Sequence, residues 1–408
     1  MKIEIGTVKG FQDFLPPESI KRQAVQKVIE KYFQLYGFIP IETPIIEFDE
    51  LMKPEALPGE QEDEAVSDRF RLKDRAGRNL GLRYEFTFQL SRIFQQNPNI
   101  KLPFRRYQIG SLFRDEPVSA DRFRQFTQCD VDIVGSDSIK SDAEILALVS
   151  DILKYLDIEA EIQVNNRKLL SSIIESLEIK NIKEVMRELD KLEKIGEDNV
   201  KSNLKKYLDS NKILTLFKML EKGLPFFKEN AFDGAQDLLD LQKECLLYGV
   251  KIKFNPYLMR GLAYYTGNIF EVKQPGKGSI AGGGRYDKLV GKFIGRDIPA
   301  VGISFGLERI TGLASIKPDS IPKAILISIG QEKASIQLAR NLRKSNVSCI
   351  IFQDKPGKAL EYANAQSIPY SIFIGQDEVA KKKFKLKDMQ SGGEKLLTEK
   401  QLLAFLVK

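Results

Sequence analysis

The chain has 408 residues, 42% hydrophobic and 29% charged, enough for two or three domains with buried cores. Its 63 Lys and Arg against 56 Asp and Glu leave a net charge of +7, compatible with a polyanionic partner without requiring one. It contains no histidine, which excludes Ser-His-Asp and Cys-His nucleophile systems, His-ligated metals and a His general base.

Tryptophan is absent too, and Cys129, Cys245 and Cys349 lie far apart with no CxxC pair, so neither a disulfide nor a zinc site is expected. The N-terminus, MKIEIGTVKGFQDFLPPE, is charged from its second residue, and no run reaches the roughly 20 apolar residues of a membrane span. A cytoplasmic location without membrane association follows. Any chemistry must run on carboxylates, Arg, Lys, Tyr and backbone dipoles.

Residues 18–36 set Ile20, Ala24, Val28, Tyr32, Leu35 and Tyr36 at helical spacing, with Gly37 as the stop. Residues 38–46 read as extended, and Pro40 and Pro44 confine them to an edge or an interface. The acidic, turn-rich stretch 53–68 reads as a mobile loop. A hairpin is expected from 69–73 and 79–84 around Asp74-Arg-Ala-Gly77. A strand over 80–87 would put Arg83, Glu85 and Thr87 on one face, opposite Leu82, Tyr84 and Phe86.

The stretch 114–132, RDEPVSADRFRQFTQCDVD, reads as strand, turn and strand. Alternation puts Arg124, Phe126, Gln128, Asp130 and Asp132 on one face, with Thr127, Cys129, Val131 and Ile133 on the other. Arg106, Gln108, Arg114 and Glu116 fall in phase on the preceding strand. A solvated sheet face and a polar floor for a charged, flat-ringed ligand share this pattern. Ser141-Asp-Ala-Glu144 reads as a capping box opening a helix through Ile145, Leu148, Val149, Ile152 and Leu156. Residues 168–247, rich in Lys, Glu and Leu, read as an all-helical insertion. Strand pattern resumes at 251–254 and 268–272, before Ala281-Gly-Gly-Gly-Arg-Tyr-Asp287, a buried strand at 300–305 and a helix opened by Gly306-Leu-Glu-Arg309. After the linker-like SIKPDSIPK, a β-α-β-α-β order argues for a small α/β domain with a largely parallel sheet.

Several of these segments resemble motifs of one family. Leu82-Arg-Tyr-Glu-Phe-Thr87 resembles its LR-P/Y-D/E-x-T segment, and 113–135 resembles class II motif 2, with the ending QCDVDIVG of the archaeal and eukaryotic branch. Arg260-Gly-Leu-Ala-Tyr-Tyr-Thr-Gly267 and Ala281-Gly-Gly-Gly-Arg-Tyr-Asp287 resemble two histidine-specific signatures, and Gly306-Leu-Glu-Arg309 resembles motif 3. In order and at these spacings they resemble histidyl-tRNA synthetase, a class II aminoacyl-tRNA synthetase, over essentially the whole chain. The resemblance implies an α+β catalytic domain with an antiparallel sheet (1–167 and 248–314), a helical insertion domain (168–247), a linker (315–322) and a C-terminal α/β anticodon-binding domain (323–408). It also implies a histidine–tRNA ligase that consumes ATP with Mg2+, acts on L-histidine and tRNA-His, and works as a homodimer with the segment around Pro44 at the two-fold.

Site residues carry over by motif. Arg114 and Arg260 would flank the ATP α-phosphate as the catalytic pair, with Arg122 and Arg309 on the outer phosphates; a planar guanidinium binds phosphate oxygens bidentately and stays charged. Phe126 would stack the adenine and Glu116 address its amino group. Glu85, Thr87 and Gln128 would hold the histidine α-ammonium, Asp132 and Tyr265 its two imidazole nitrogens, and Tyr264, Tyr286 and Arg260 the rest of that pocket. No side-chain metal site is implied. The motif 2 turn, Pro117-Val-Ser-Ala-Asp121, departs from the family pattern in lacking Gln and carrying an acid, and Thr127 and Ala263 depart as well. The alternative is a catalytically inactive regulatory paralogue that senses histidine or uncharged tRNA. The C-terminal domain and the retained Arg114, Arg260 and Arg309 favour the ligase.

Overall fold

A computed structural model describes residues 5–52, 69–119, 122–260, 264–274, 278–318 and 322–407. The loop expected at 53–68, the turn residues Ala120 and Asp121, and 261–263 lie outside them. The chain divides into two units, Met1–Ile316 and Lys317–Lys408.

The strands of the first unit are β1 (Ile39–Pro40), β2 (Ile46–Phe48), β3 (Arg71–Lys73), β4 (Asn79–Leu82), β5 (Phe104–Phe113), β6 (Gln125–Val134), β7 (Glu161–Asn166), β8 (Lys253–Phe254), β9 (Asn268–Lys273), β10 (Ser279–Arg285) and β11 (Ala300–Gly306). Eight form one sheet in the order β1-β5-β6-β11-β10-β9-β7-β8. It is antiparallel except at its ends, where β1 runs parallel to β5 and β8 parallel to β7. The edge position of β1 is what Pro40 demands, since proline cannot donate to a second neighbour. A small antiparallel sheet, β2-β4-β3, carries the expected hairpin.

One face of the large sheet is core. Cys129, Val131 and Ile133 of β6 and Phe305 of β11 pack there against the helices Glu18–Leu35, Ile139–Tyr155 and Leu307–Leu313. Val25, Val28, Ile29 and Phe33 supply the buried stripe of the first of these. Each such side chain, fully buried, contributes about 1.5–3 kcal/mol, which favours apolar residues along most of this face. The alternate residues of β5 and β6 must then turn to the other face.

Two local expectations are corrected. The strand over 80–87 stops at Leu82, and after the turn 83–87 a helix, Phe88–Gln96, begins with Thr87 at its N-cap. Arg83 turns away from Glu85 and Thr87 to donate to Thr43 O at 2.6 Å and Ser111 O at 3.0 Å. The chain bends there because Leu90 and Phe94, one helical turn apart, bury together with Phe88 in one apolar cluster. The helix Ile139–Tyr155 is capped by Ser138, whose side chain accepts from Lys140 N. Ser141 hydrogen-bonds Ser136 instead, and Glu144 pairs with Arg105 at 2.7 Å, so 141–144 is no capping box.

Between β7 and β8 run seven described helices, from Arg167–Ser176 to Ala235–Leu247. In the second unit the sheet runs β13-β12-β14-β15-β16, built from β12 (Ala324–Ser328), β13 (Cys349–Phe352), β14 (Tyr370–Ile374), β15 (Lys383–Asp388) and β16 (Glu394–Thr398). The first three are parallel, as the β-α-β-α-β order implies, and β15 and β16 add an antiparallel hairpin bearing Lys383, Lys385 and Lys387.

Candidate active site

Opposite the core face, the large sheet floors a cavity of about 630 Å³. Phe126, Gln128, Asp130 and Asp132 point into it from β6, so the alternating face is a polar floor and not a solvated surface. Glu85 and Thr87 reach it from the turn before the helix Phe88–Gln96. Arg114, Glu116 and Arg122 come from the end of the β5–β6 hairpin, and Arg260, Tyr264 and Tyr265 from the chain before β9. Tyr286 follows β10, and Arg309 lies on the helix after β11. Every residue expected from sequence to touch ligand lines this one cavity.

Its deepest part is acidic. Register sets Asp132 opposite Arg106 on β5 and Gly302 on β11. Arg106 Nη2 lies 2.7 Å from Asp132 Oδ2, with both side chains almost fully buried. Tyr286 OH donates to Asp132 Oδ1. A Cβ at position 302 would overlap the Asp132 carboxylate, so the glycine makes room for it. Burial pushes the Asp132 carboxyl up while Arg106 and Tyr286 hold it down. Glu85 Oε1 accepts from Phe88 N at 2.6 Å, tying it to the start of that helix, and Tyr264 OH faces its other oxygen at 3.5 Å. Burial raises Glu85 as well.

Arg106 is the site residue for which the sequence reading offered no role, although it stood in phase with the floor. Its signal was the cross-strand register, which sets a cation opposite Asp132 once β5 and β6 are paired. Asp130, likewise without a role, accepts from Ser304 Oγ. Its carboxyl, ordinarily near about 4, is pushed up to about 7 by burial, partly opposed by Arg106. The folded chain thus keeps a proton from about pH 4 to 7 that the unfolded chain has lost, so this contribution to stability is complete below about pH 4 and fades as pH rises through 7. Asp130→Asn is expected to remove up to about 1.4 kcal/mol per pH unit of downward slope in urea-melt stability between about pH 5 and 7. Asp142, raised to about 6, keeps its own slope of the same sign in both proteins. An unchanged slope would show that Asp130 titrates as an ordinary acid.

The shallower part is rich in guanidinium. Arg114 donates to Tyr84 O at 3.1 Å and sits 5.0 Å over the Phe126 ring. Arg122 pairs with Glu116 at 3.4 Å. Arg309 donates to Ser279 O at 2.7 Å. Arg260 lies across Gly282 of β10, where any Cβ would overlap its guanidinium, with Glu271 at 3.7 Å. Burial works against its charge, yet Tyr265, Glu271 and Tyr264 together hold its pKa above the ordinary value. Arg285 of the glycine-rich motif is structural. It donates to Asp142 Oδ2, Ser136 O and Ser138 O at 2.6–3.0 Å and fastens β10 to the start of the helix Ile139–Tyr155.

The arrangement can seat an ammonium and a hydrogen-bonding ring over the acids while arginines gather phosphate oxygens beside them. Among the described residues no group of three or more acid or Cys side chains is placed to hold a metal. The acids nearest the arginines are already engaged: Glu116 by Arg122, Glu271 by Arg260 and Lys273, and Glu308 by Arg22 and Thr127 N. No helix among the described residues is long and apolar enough to cross a membrane.

Comparison with known proteins adds to this geometry. A family model described as histidyl-tRNA synthetase matches residues 10–310, and one described as anticodon binding domain matches 323–408. Histidine–tRNA ligase 1 of Bacillus cereus is 38% identical over 96% of this chain and 95% of its own length. The crystal structure of histidyl-tRNA synthetase from Nostoc sp. PCC 7120 superposes with a TM-score of 0.87 at 30% identity, covering 99% of each chain. An ATP phosphoribosyltransferase regulatory subunit/histidyl-tRNA synthetase from Bacillus halodurans C superposes with a TM-score of 0.74 at 20% identity, a likeness of fold alone.

Proposed function

The chain belongs to the histidyl-tRNA synthetase family, and from that premise we propose that its cavity activates histidine with ATP and transfers it to tRNA-His. The observation that carries this reading is the division of one cavity into a buried acid floor around Asp132 and an arginine rim of Arg114, Arg260 and Arg309. Histidine offers a ring with two nitrogens to Asp132 and Tyr265, and an α-ammonium to Glu85, Thr87 and Gln128. An apolar analogue would leave buried Asp132 without that partner, which is how such a site rejects it.

ATP lies along the rim. Adenine stacks on Phe126, its amino group meets Glu116, and the outer phosphates meet Arg122 and Arg309. Mg2+ would be held chiefly by the phosphates of ATP, where it would offset their charge, in keeping with its habit of retaining water and substrate oxygens. The histidine carboxylate oxygen attacks the α-phosphorus, the bond to the β-phosphate oxygen breaks, and pyrophosphate leaves. Arg114 and Arg260 stabilise the charge that builds on the α-phosphoryl oxygens. In the second step the terminal adenosine hydroxyl of tRNA attacks the adenylate carbonyl and AMP leaves. With no histidine in the chain, the hydroxyl proton passes to a substrate phosphate or carboxylate oxygen.

Residues 168–247 face the acceptor stem in this reading, and 323–408 contact the anticodon, with the lysines of β15 on phosphates. The chain pairs with a second copy through the edge around β1 and β2, where Ile39, Ile45, Ile46 and Phe48 are about half exposed. It works in the cytoplasm. ATP–pyrophosphate exchange measured with all twenty amino acids is expected to respond to histidine alone, to stop when Mg2+ is chelated, and to accompany a solution mass of two chains. Histidine binding without exchange would overturn the ligase in favour of a sensor.

A further inference from the structure

The contact between Arg260 and Glu271 is loose, 3.7 Å, although the two are partners on the same patch of sheet. Their placement is dictated by register. Glu271 of β9 stands directly opposite Gly282 of β10, and Arg260 lies over that bare glycine. A half-buried carboxylate with one cation beside it normally closes to a charge-assisted hydrogen bond of about 2.7–2.9 Å. Here it does not, and a second cation explains why. Lys273, two residues along and on the same face, holds Glu271 Oε2 at 2.8 Å. Lys273 in turn meets both carboxylate oxygens of Glu193 at 2.5 and 2.6 Å. Glu193 belongs to the helix Leu192–Ile195, which comes from the helical stretch and helps roof the cavity. The result is a row of alternating charge, Arg260, Glu271, Lys273 and Glu193. Its inner members are largely buried, whereas the Glu193 side chain is 67% exposed.

We infer that Lys273 is a positioning residue for the activation step: by engaging Glu271 it leaves the Arg260 guanidinium free to turn to the α-phosphate, and Glu193 links that freedom to the seating of the helical roof. The inference rests on the reading of Arg260 as a phosphate ligand. When Lys273 is removed, Arg260 is the one ion-pair partner left to Glu271 among the described residues, and the carboxylate draws its guanidinium out of line. A displacement of about 1 Å at a reacting centre costs up to about a hundred-fold in rate.

The test is histidine-dependent ATP–pyrophosphate exchange on the full chain. Lys273→Met is expected to lower kcat about ten-fold or more, with KM for ATP and histidine changed less than about three-fold. Lys273→Arg keeps the cation and is expected to restore the rate. The decisive variant is Lys273→Met with Glu271→Gln, which removes the competing carboxylate and is expected to recover most of the lost kcat. Glu193→Gln, at the exposed end, is expected to lower kcat by about two- to three-fold. A lysine that simply touched phosphate, or merely held the fold, would show no recovery in the double variant, and that result overturns the inference, as does an unaltered Lys273→Met. Should the Met variant fail to accumulate, Lys273→Gln carries the same comparison. Absence of exchange in the unaltered protein would instead count against the proposed function.

Discussion

Arg260→Ala is expected to lower histidine-dependent ATP–pyrophosphate exchange about a thousand-fold, with kcat and kcat/KM falling together. The side chain's only ion-pair contact among the described residues is the loose one to Glu271, with Tyr265 beside it. Its charge is secured by Tyr265, Glu271 and Tyr264 despite burial, and its position is secured by bare backbone at Gly282. Such a group acts on charge that develops in the transition state and contributes little to the ground state. Thermal unfolding is therefore expected to stay within about 1 kcal/mol of the parent, and histidine affinity within about ten-fold. Lys at this position would keep the charge but lose the planar fork, and is expected to restore only a small part of the rate. Exchange that survives the Ala variant would remove Arg260 from the reaction.

The second large effect is on stability. Arg106 and Asp132 form a nearly fully buried pair, and the Arg106 Nε and Nη1 find no hydrogen-bond acceptor among the described residues. The pair thus rests mainly on charge. Burial opposes ionisation of Arg106, but Asp132, Tyr286 and Asp130 more than offset it and hold the guanidinium protonated. Arg106→Met would leave Asp132 buried without its cation, a loss expected at about 3–5 kcal/mol in urea melts. Arg106→Met with Asp132→Leu removes both charges and is expected to regain most of that stability without regaining histidine binding. If the single variant is as stable as the parent, Arg106 does not support the floor.

Alternation made the floor legible in the sequence. The period of two on β6 separated Phe126, Gln128, Asp130 and Asp132 from Cys129, Val131 and Ile133 before any pairing was known, and the structure keeps that division. What alternation cannot express is a partner on another strand, so Arg106 and Ser304 emerged only with the register. The bend after Leu82 was missed for a related reason. Arg83, Glu85 and Thr87 alternate as a strand would, but the tertiary burial of Phe88, Leu90 and Phe94 favours a helix from 88 onward. The cap at Ser138 was missed because two serines compete there, and Ser141 is occupied by Ser136. In the glycine-rich motif, Gly282 lies bare beneath Arg260, while the arginine of the motif turns inward to Asp142.

β6 serves core and cavity with alternate residues, and this constrains where the chain can change its length. One residue added or lost within it would carry Val131 and Ile133 to the ligand and Asp130 and Asp132 into the oil of the core, so indels in the strand are lethal to both roles. Between Phe113 and Gln125 no such alternation is required, although Arg114, Glu116 and Arg122 still have to reach the cavity. It is there that the sequence reading found its departure from the family pattern, an acid and no Gln after Pro117. Variation in how a partner is met can therefore accumulate at the tip of the hairpin while its stem, and with it the chemistry, stays in register.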